Sequence, residues 1–219
     1  MIFAIPTYKV LDPTHYEDGI KKLQRIESAA RISHRSEERQ TKDSWEKFVT
    51  AVVIGHGDWS VTEHATATVE FHVNRGVTHE MVRHRLFGFT QESTRFVNYS
   101  KPGYEASYIP SVAVKPEHLE EWKRDLTKID ETYRKWLEVG YTPQIARDFL
   151  PNALGAKIAV TGNLRNWRHA FLMRTSKETH PDFREVMIPL LEFFQTMIPV
   201  LYSDIVPMTR QIENLRKPR

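Results

Sequence analysis

Apolar positions recur along this chain with two different periods, and the switches between them mark out the elements. Residues 14–32 place Ile20, Leu23, Ile26 and Ala30 three and four apart, which is one face of a helix. Residues 43–54 repeat that spacing with Trp45, Phe48, Val49, Val52 and Val53 until Gly55 and Gly57 break it. The intervening 31–43 stretch is charged and poor in apolar residues, so it predicts a solvated loop. At 65–73 the period drops to two. Ala65, Ala67, Val69, Phe71 and Val73 alternate with Thr66, Thr68, Glu70 and His72, predicting a strand ended by Gly76, after which 77–84 starts a helix.

Weaker patterns fill in the rest. Residues 2–10 predict a first strand interrupted near Pro6. Residues 95–99 are aromatic and β-branched, predicting a strand or an extended ligand-facing segment before the Lys101-Pro102-Gly103 turn. Residues 116–139 predict the longest helix, opened by Pro116 and closed by Gly140, with Leu119, Trp122, Leu126, Ile129, Tyr133, Trp136 and Leu137 as its core stripe. Thr142-Pro143 opens a short helix over 144–150 that carries Arg147. A strand over 157–161 and a helix over 164–173 follow, the latter with Arg165 and Arg168 and leading to Arg174. The last long helix, 181–202, has Pro189 and Pro199 as kinks or boundaries. The basic tail after Met208 is expected to fray. Helices and strands mix without a βαβ rhythm, so the expected class is α+β, one domain over residues 1–219 with a small mixed or antiparallel sheet flanked by long helices.

Composition narrows the function classes. At 219 residues, 40% hydrophobic and 27% charged, the chain is an ordinary globular protein, and a net charge of +3 does not choose among anionic partners. No run approaches the roughly 20 apolar residues of a membrane helix, and the apolar start lacks a basic leader, so a cytoplasmic protein without a membrane partner is expected. The chain has no cysteine, which removes thiolate nucleophiles, thiolate metal sites and disulfides. No glycine-rich phosphate loop follows a strand, which argues against a dinucleotide-binding Rossmann unit.

The candidate chemistry is concentrated between Val82 and Ser100. Arg83, His84, Arg85, Gln91, Ser93, Thr94 and Arg95 crowd into this stretch, and planar guanidinium groups beside hydroxyl donors suit a small polyanionic ligand. His79 and His84 are five apart, which turns them off a common helical face and disqualifies the zinc-protease pattern; no metal is expected. Ser93 lacks a nucleophile-elbow context and is better read as a hydroxyl donor to phosphate. His64 fits a satisfied buried histidine as well as a ligand site, and His72 reads as surface or interface. Taken singly, Arg147, Arg165 and Arg174 each read as surface arginines.

Together these residues form a known constellation. Arg83-His84-Arg85, seven residues, then Ser93 is the signature of the flavin-dependent thymidylate synthases, and the chain resembles that family well beyond it. The run from Arg75 to Arg85 and the run Gln91-Glu-Ser-Thr-Arg-Phe-Val-Asn-Tyr-Ser are similar to one branch nearly residue for residue. Further matches are Arg31-Ile-Ser, Ser60-Val-Thr-Glu-His64, Ala146-Arg147-Asp-Phe-Leu-Pro151, and Asn163-Leu-Arg165-Asn-Trp-Arg168-His169 leading to Arg174.

The resemblance implies reductive methylation of dUMP to dTMP. Methylenetetrahydrofolate would carry the carbon, NADPH would reduce FAD, and no enzyme nucleophile would attack the ring. It also implies a homotetramer with ligand sites between subunits; no nucleic-acid partner is expected, since no recognised DNA or RNA motif appears. Ser60, Arg83, His84, Arg85, Asn163, Arg165 and His169 would contact flavin, with Gln91 within reach of either ligand. Glu80, Met81, Val82, Arg83, Glu92, Ser93, Thr94, Arg95 and Arg147 would form the dUMP pocket. Arg174 would be the cation at the uracil edge, with Ser93 the second catalytic candidate. The chain departs from the family pattern at Gly88 (often Ser), Phe96 (usually Tyr), Asp58 (His in some members) and Asp182 (usually Gln), so contacts at those places differ. Two alternatives stay open: a flavin-binding relative without methylation activity, and a nucleic-acid-binding module, the latter opposed by acids interleaved among the bases.

Overall fold

A computed structural model describes residues 1–208. The expected strand over 2–10 is two strands: β1 (Ile2–Phe3) and β2 (Thr7–Val10), separated by Pro6 and placed in different sheets. Helix α1 (Tyr16–Arg31) follows, then two short 3-10 turns in the charged loop, then α2 (Ser44–Val49), which continues as a π-helical turn over Thr50–Gly55. A 3-10 segment, Trp59–His64, leads into β3 (Thr66–Asn74).

The alternation read from β3 is borne out. Ala67, Val69, Phe71 and Val73 are all buried, while Thr66 is exposed and Glu70 and His72 are half-buried. The strand ends at Asn74, and Gly76 lies inside α3 (Arg75–Met81) and does not terminate the strand. After β4 (Gly88–Gln91) come β5 (Ser107–Tyr108), α4 (Leu119–Glu138), α5 (Pro143–Ala146) and β6 (Gly155–Asn163). Helices α6 (Leu164–Arg174), α7 (Pro181–Met197) and α8 (Pro199–Tyr202) close the described chain. Pro189 sits within α7, and Pro199 is the boundary. The basic tail lies outside the described residues.

The strands form an antiparallel sheet in the order β2-β3-β6-β4, and β1 pairs in parallel with β5 in a second, two-stranded sheet. The class is α+β, as expected. One prediction fails locally. Residues 95–99 turn instead of extending, because Tyr99 is buried and spends its main-chain N–H on the Tyr133 hydroxyl, at 3.4 Å. His72, read as surface or interface, is half-buried with its ring bonded to the Ser107 hydroxyl at 2.8 Å, and burial lowers its pKa.

The main core lies between one face of the β3–β6 pair and helices α6 and α7. Trp167 is its centre: its indole N–H donates to the Ala67 carbonyl at 3.0 Å, and its ring meets Phe87 edge-on with centroids 4.9 Å apart. Gly162 is required there, because a Cβ would collide with the Phe87 ring. A second cluster around Tyr99, Tyr108, Leu126 and Tyr133 packs α4 against β5. Burying such aromatic bodies contributes on the order of 2–3 kcal/mol each before entropy is counted.

Candidate active site

The site starts at the corner where β3 becomes α3. Asn74 caps that helix, its side-chain oxygen accepting the Val77 N–H at 3.0 Å. Helix α3 ends at Met81, so the Arg83-His84-Arg85 triplet does not ride on a helix as expected. It spans a turn held between two buried anchors, Met81 and Phe87, with Arg83 and Arg85 exposed and His84 half-buried. The backbone itself makes the turn, through Arg83 N–H to the Glu80 carbonyl and Phe87 N–H to the His84 carbonyl.

Arg174 reaches this turn from the end of α6. Its Nε–H donates to His84 Nε2 at 2.9 Å, its Nη1 donates to Glu80 Oε2 at 2.9 Å, and its guanidinium lies 5.1 Å from the Phe183 ring centroid. His84 Nε2 is therefore an acceptor, which requires the neutral imidazole. Its pKa is lowered to about 4, first by burial, then by the Arg174 charge and by His169. A cleft of about 250 Å³ is lined by Arg83, His84, Arg85, Asn166, His169 and Arg174. Neither Arg83 nor Arg85 has a side-chain partner among the described residues.

The other expected residues lie in two further groups. At the end of β4, Gln91 donates to Thr78 Oγ1 at 3.1 Å; beyond it, the Tyr99 hydroxyl donates to Glu92 at 2.6 Å and Ser93 Oγ accepts the Arg95 N–H at 3.3 Å. Burial and the Glu92 carboxylate raise the Tyr99 pKa. Arg95 Nε donates to Gln144 at 2.7 Å on α5, the helix that leads to exposed Arg147. Thr94 is buried, and Met81 packs into the main core, leaving Val82 exposed between them and the cleft turn. The third group lies at the start of α6, where Asn163 caps the helix through the Asn166 N–H at 2.8 Å and Arg165 pairs with Glu63 at 2.7 Å near exposed Ser60.

Sequence reasoning missed four contributors. Asn166 lines the cleft and donates to the Leu86 carbonyl at 3.0 Å; Asn74, Phe183 and Asp182 support α3 and Arg174. Only Asp182 gave a signal, as a departure taken to alter a ligand contact. It is 2% exposed and accepts from three protein donors, so its role is internal. Of the other departures, Phe96 is exposed with the Arg95 guanidinium 5.2 Å over its ring, Gly88 opens β4, and Asp58 is exposed.

The architecture is one already seen around nucleotide methylation. Over 93% of this chain and 96% of the other, it superposes with a TM-score of 0.73 and 18% identity on the crystal structure of a UMP/dUMP methylase, PolB from Streptomyces cacaoi, bound with 5-Br dUMP. The model of the family described as thymidylate synthase complementing protein matches residues 17–200, and the chain belongs to that family. Among curated relatives, the flavin-dependent thymidylate synthase of Pyrococcus furiosus is 32% identical over 181 residues, 78% of this chain and 74% of the relative. That of Pyrococcus abyssi is 33% identical over 143 residues, and the match spans 64% of this chain but only 59% of that relative's length.

Proposed function

We propose that this protein methylates dUMP reductively to dTMP in the cytoplasm, with FAD as cofactor and NADPH and methylenetetrahydrofolate as co-substrates. The observation that carries the reading is Arg174, a cation held by two acceptors beside two arginines that have no side-chain partner among the described residues, in a family member without cysteine. With His84 neutral, the fixed charges around the cleft are Arg83, Arg85 and Arg174 against Glu80, an excess of positive charge that fits a polyanionic ligand.

In this reading Ser60, Arg83, His84, Arg85, Gln91, Asn163, Arg165 and His169 would hold FAD, which once reduced by NADPH would supply the hydride. Glu80, Met81, Val82, Arg83, Gln91, Glu92, Ser93, Thr94, Arg95 and Arg147 surround dUMP. Arg174 stabilises negative charge developing on the uracil ring, a task suited to a guanidinium that cannot deprotonate and need not reorganise. Ser93 donates its hydroxyl to phosphate. The three groups are completed into one site between the subunits of a homotetramer. The exposure of Leu86 and Phe96, 80% and 76%, supports this, since each flanks one group with an apolar side chain a partner subunit would cover.

The test is the absorbance of the purified protein, loaded with FAD, before and after dUMP. A flavin spectrum that dUMP perturbs supports one shared site. Failure to take up flavin sinks the reading.

A further inference from the structure

Asp182 is a buried carboxylate with three donors: Asn74 Nδ2 at 2.7 Å, Ser111 Oγ at 2.7 Å and the Val112 N–H at 2.9 Å. The first of these fixes an orientation. Asn74 must present its oxygen to the Val77 N–H and its amide nitrogen elsewhere, and a carboxylate, which only accepts, permits that one placement of the amide. A carboxamide at 182 has one oxygen only, so it could accept from Asn74 Nδ2 or from the Val112 N–H but not from both, and would loosen the hold on Asn74.

The helix that Asn74 caps carries the contacts of two site groups. Glu80 accepts from Arg174 Nη1, and Thr78 Oγ1 accepts from Gln91 at 3.1 Å. Phe183, the residue after Asp182, lies beneath the Arg174 guanidinium. The first turn of α7 thus meets both sides of the Glu80–Arg174 pair: Asp182 anchors the helix that bears Glu80, and Phe183 supports the arginine.

Resting on the proposed function, we infer that Asp182 is a positioning residue for catalysis, acting through Asn74 and helix α3 to set Glu80 against Arg174. This places the departure at 182 in the orientation of the catalytic cation, away from the ligand surface.

The test is a double-mutant cycle in the full-length, flavin-loaded protein. Asp182→Asn is expected to lower kcat about tenfold when Glu80 is present and less than about twofold in a Glu80→Ala background, while Tm falls equally in both. An equal loss of kcat in both backgrounds would mean a purely structural carboxylate and overturns the inference. Ser111→Ala removes another donor from the same carboxylate and should lower Tm with kcat unchanged; a kcat loss matching that of Asp182→Asn also overturns it. Should Asp182→Asn not fold, Asn74→Ser, which keeps a capping hydroxyl but removes the amide donor, carries the same cycle.

If wild-type protein makes no dTMP, the proposed function fails separately. The cycle is then read as hydrogen exchange at Arg174 Nε–H. Faster exchange from Asp182→Asn only when Glu80 is present supports the positioning role, and equal acceleration in both backgrounds contradicts it.

Discussion

Helix α6 carries an arginine–glutamate pair at each end, and the two pairs look alike until their surroundings are compared. Arg165 meets Glu63 at 2.7 Å with side chains 51% and 46% exposed; Arg174 meets Glu80 at 2.9 Å with 17% and 35%. Nine residues of helix put them about 13 Å apart along the axis. The first sits at the positive end of the helix dipole and in water, where an ion pair contributes about 0–1 kcal/mol. The second sits at the negative end, which favours a cation, and has His84 as a second acceptor and Phe183 beneath it. Similar distances therefore hide different settings: of the two pairs, only Arg174–Glu80 has a second acceptor and an aromatic ring holding the arginine, which is what the proposed role of a prealigned charge needs.

The sharpest way to break that contrast is Arg174→Lys. Lysine keeps the charge but not the planar fork that serves His84 and Glu80 together, so turnover should fall about 100-fold or more while flavin binding and Tm are retained. Steady-state kinetics beside a flavin titration check this, and an equally active variant removes Arg174 from its role. Ser93→Ala, away from the pair, should cost about tenfold in kcat/KM for dUMP with an unchanged fold, read by the same assay and circular dichroism.

The third prediction concerns His84. Its folded pKa, about 4, lies below the ordinary histidine value of about 6.5, so between those values the unfolded chain binds the proton first. The stabilising effect is complete above pH 6.5 and is lost as pH falls toward 4. Tm against pH should show a slope across this window that flattens in His84→Gln; an unchanged slope would place the titration elsewhere. The smallest effect belongs to the other end of α6: Glu63→Ala should change stability by less than about 1 kcal/mol, less still in high salt, by denaturant titration.

How much of this was visible in the sequence depends on the range of the interaction. Strand β3 was legible because its two-residue period reflects one buried face, and α1 and α4 were legible from their apolar spacing. Four-residue β4 has too short a pattern, and β1 pairs with β5 across a hundred residues of chain. Residues 95–99 have the composition of a strand, yet the burial of Tyr99 overrides it. At the site, the Arg83-His84-Arg85 and Ser93 signature was plain, but the role of Asp182 depends on Asn74, 108 positions away. No local spacing encodes such a bond.

The most direct measurement is the transfer of label from methylenetetrahydrofolate to dUMP by the FAD-loaded protein with NADPH. Labelled dTMP should form with wild type and at a rate at least about 100-fold lower with Arg174→Lys. Flavin-loaded wild type that oxidises NADPH but yields no labelled dTMP would contradict the account.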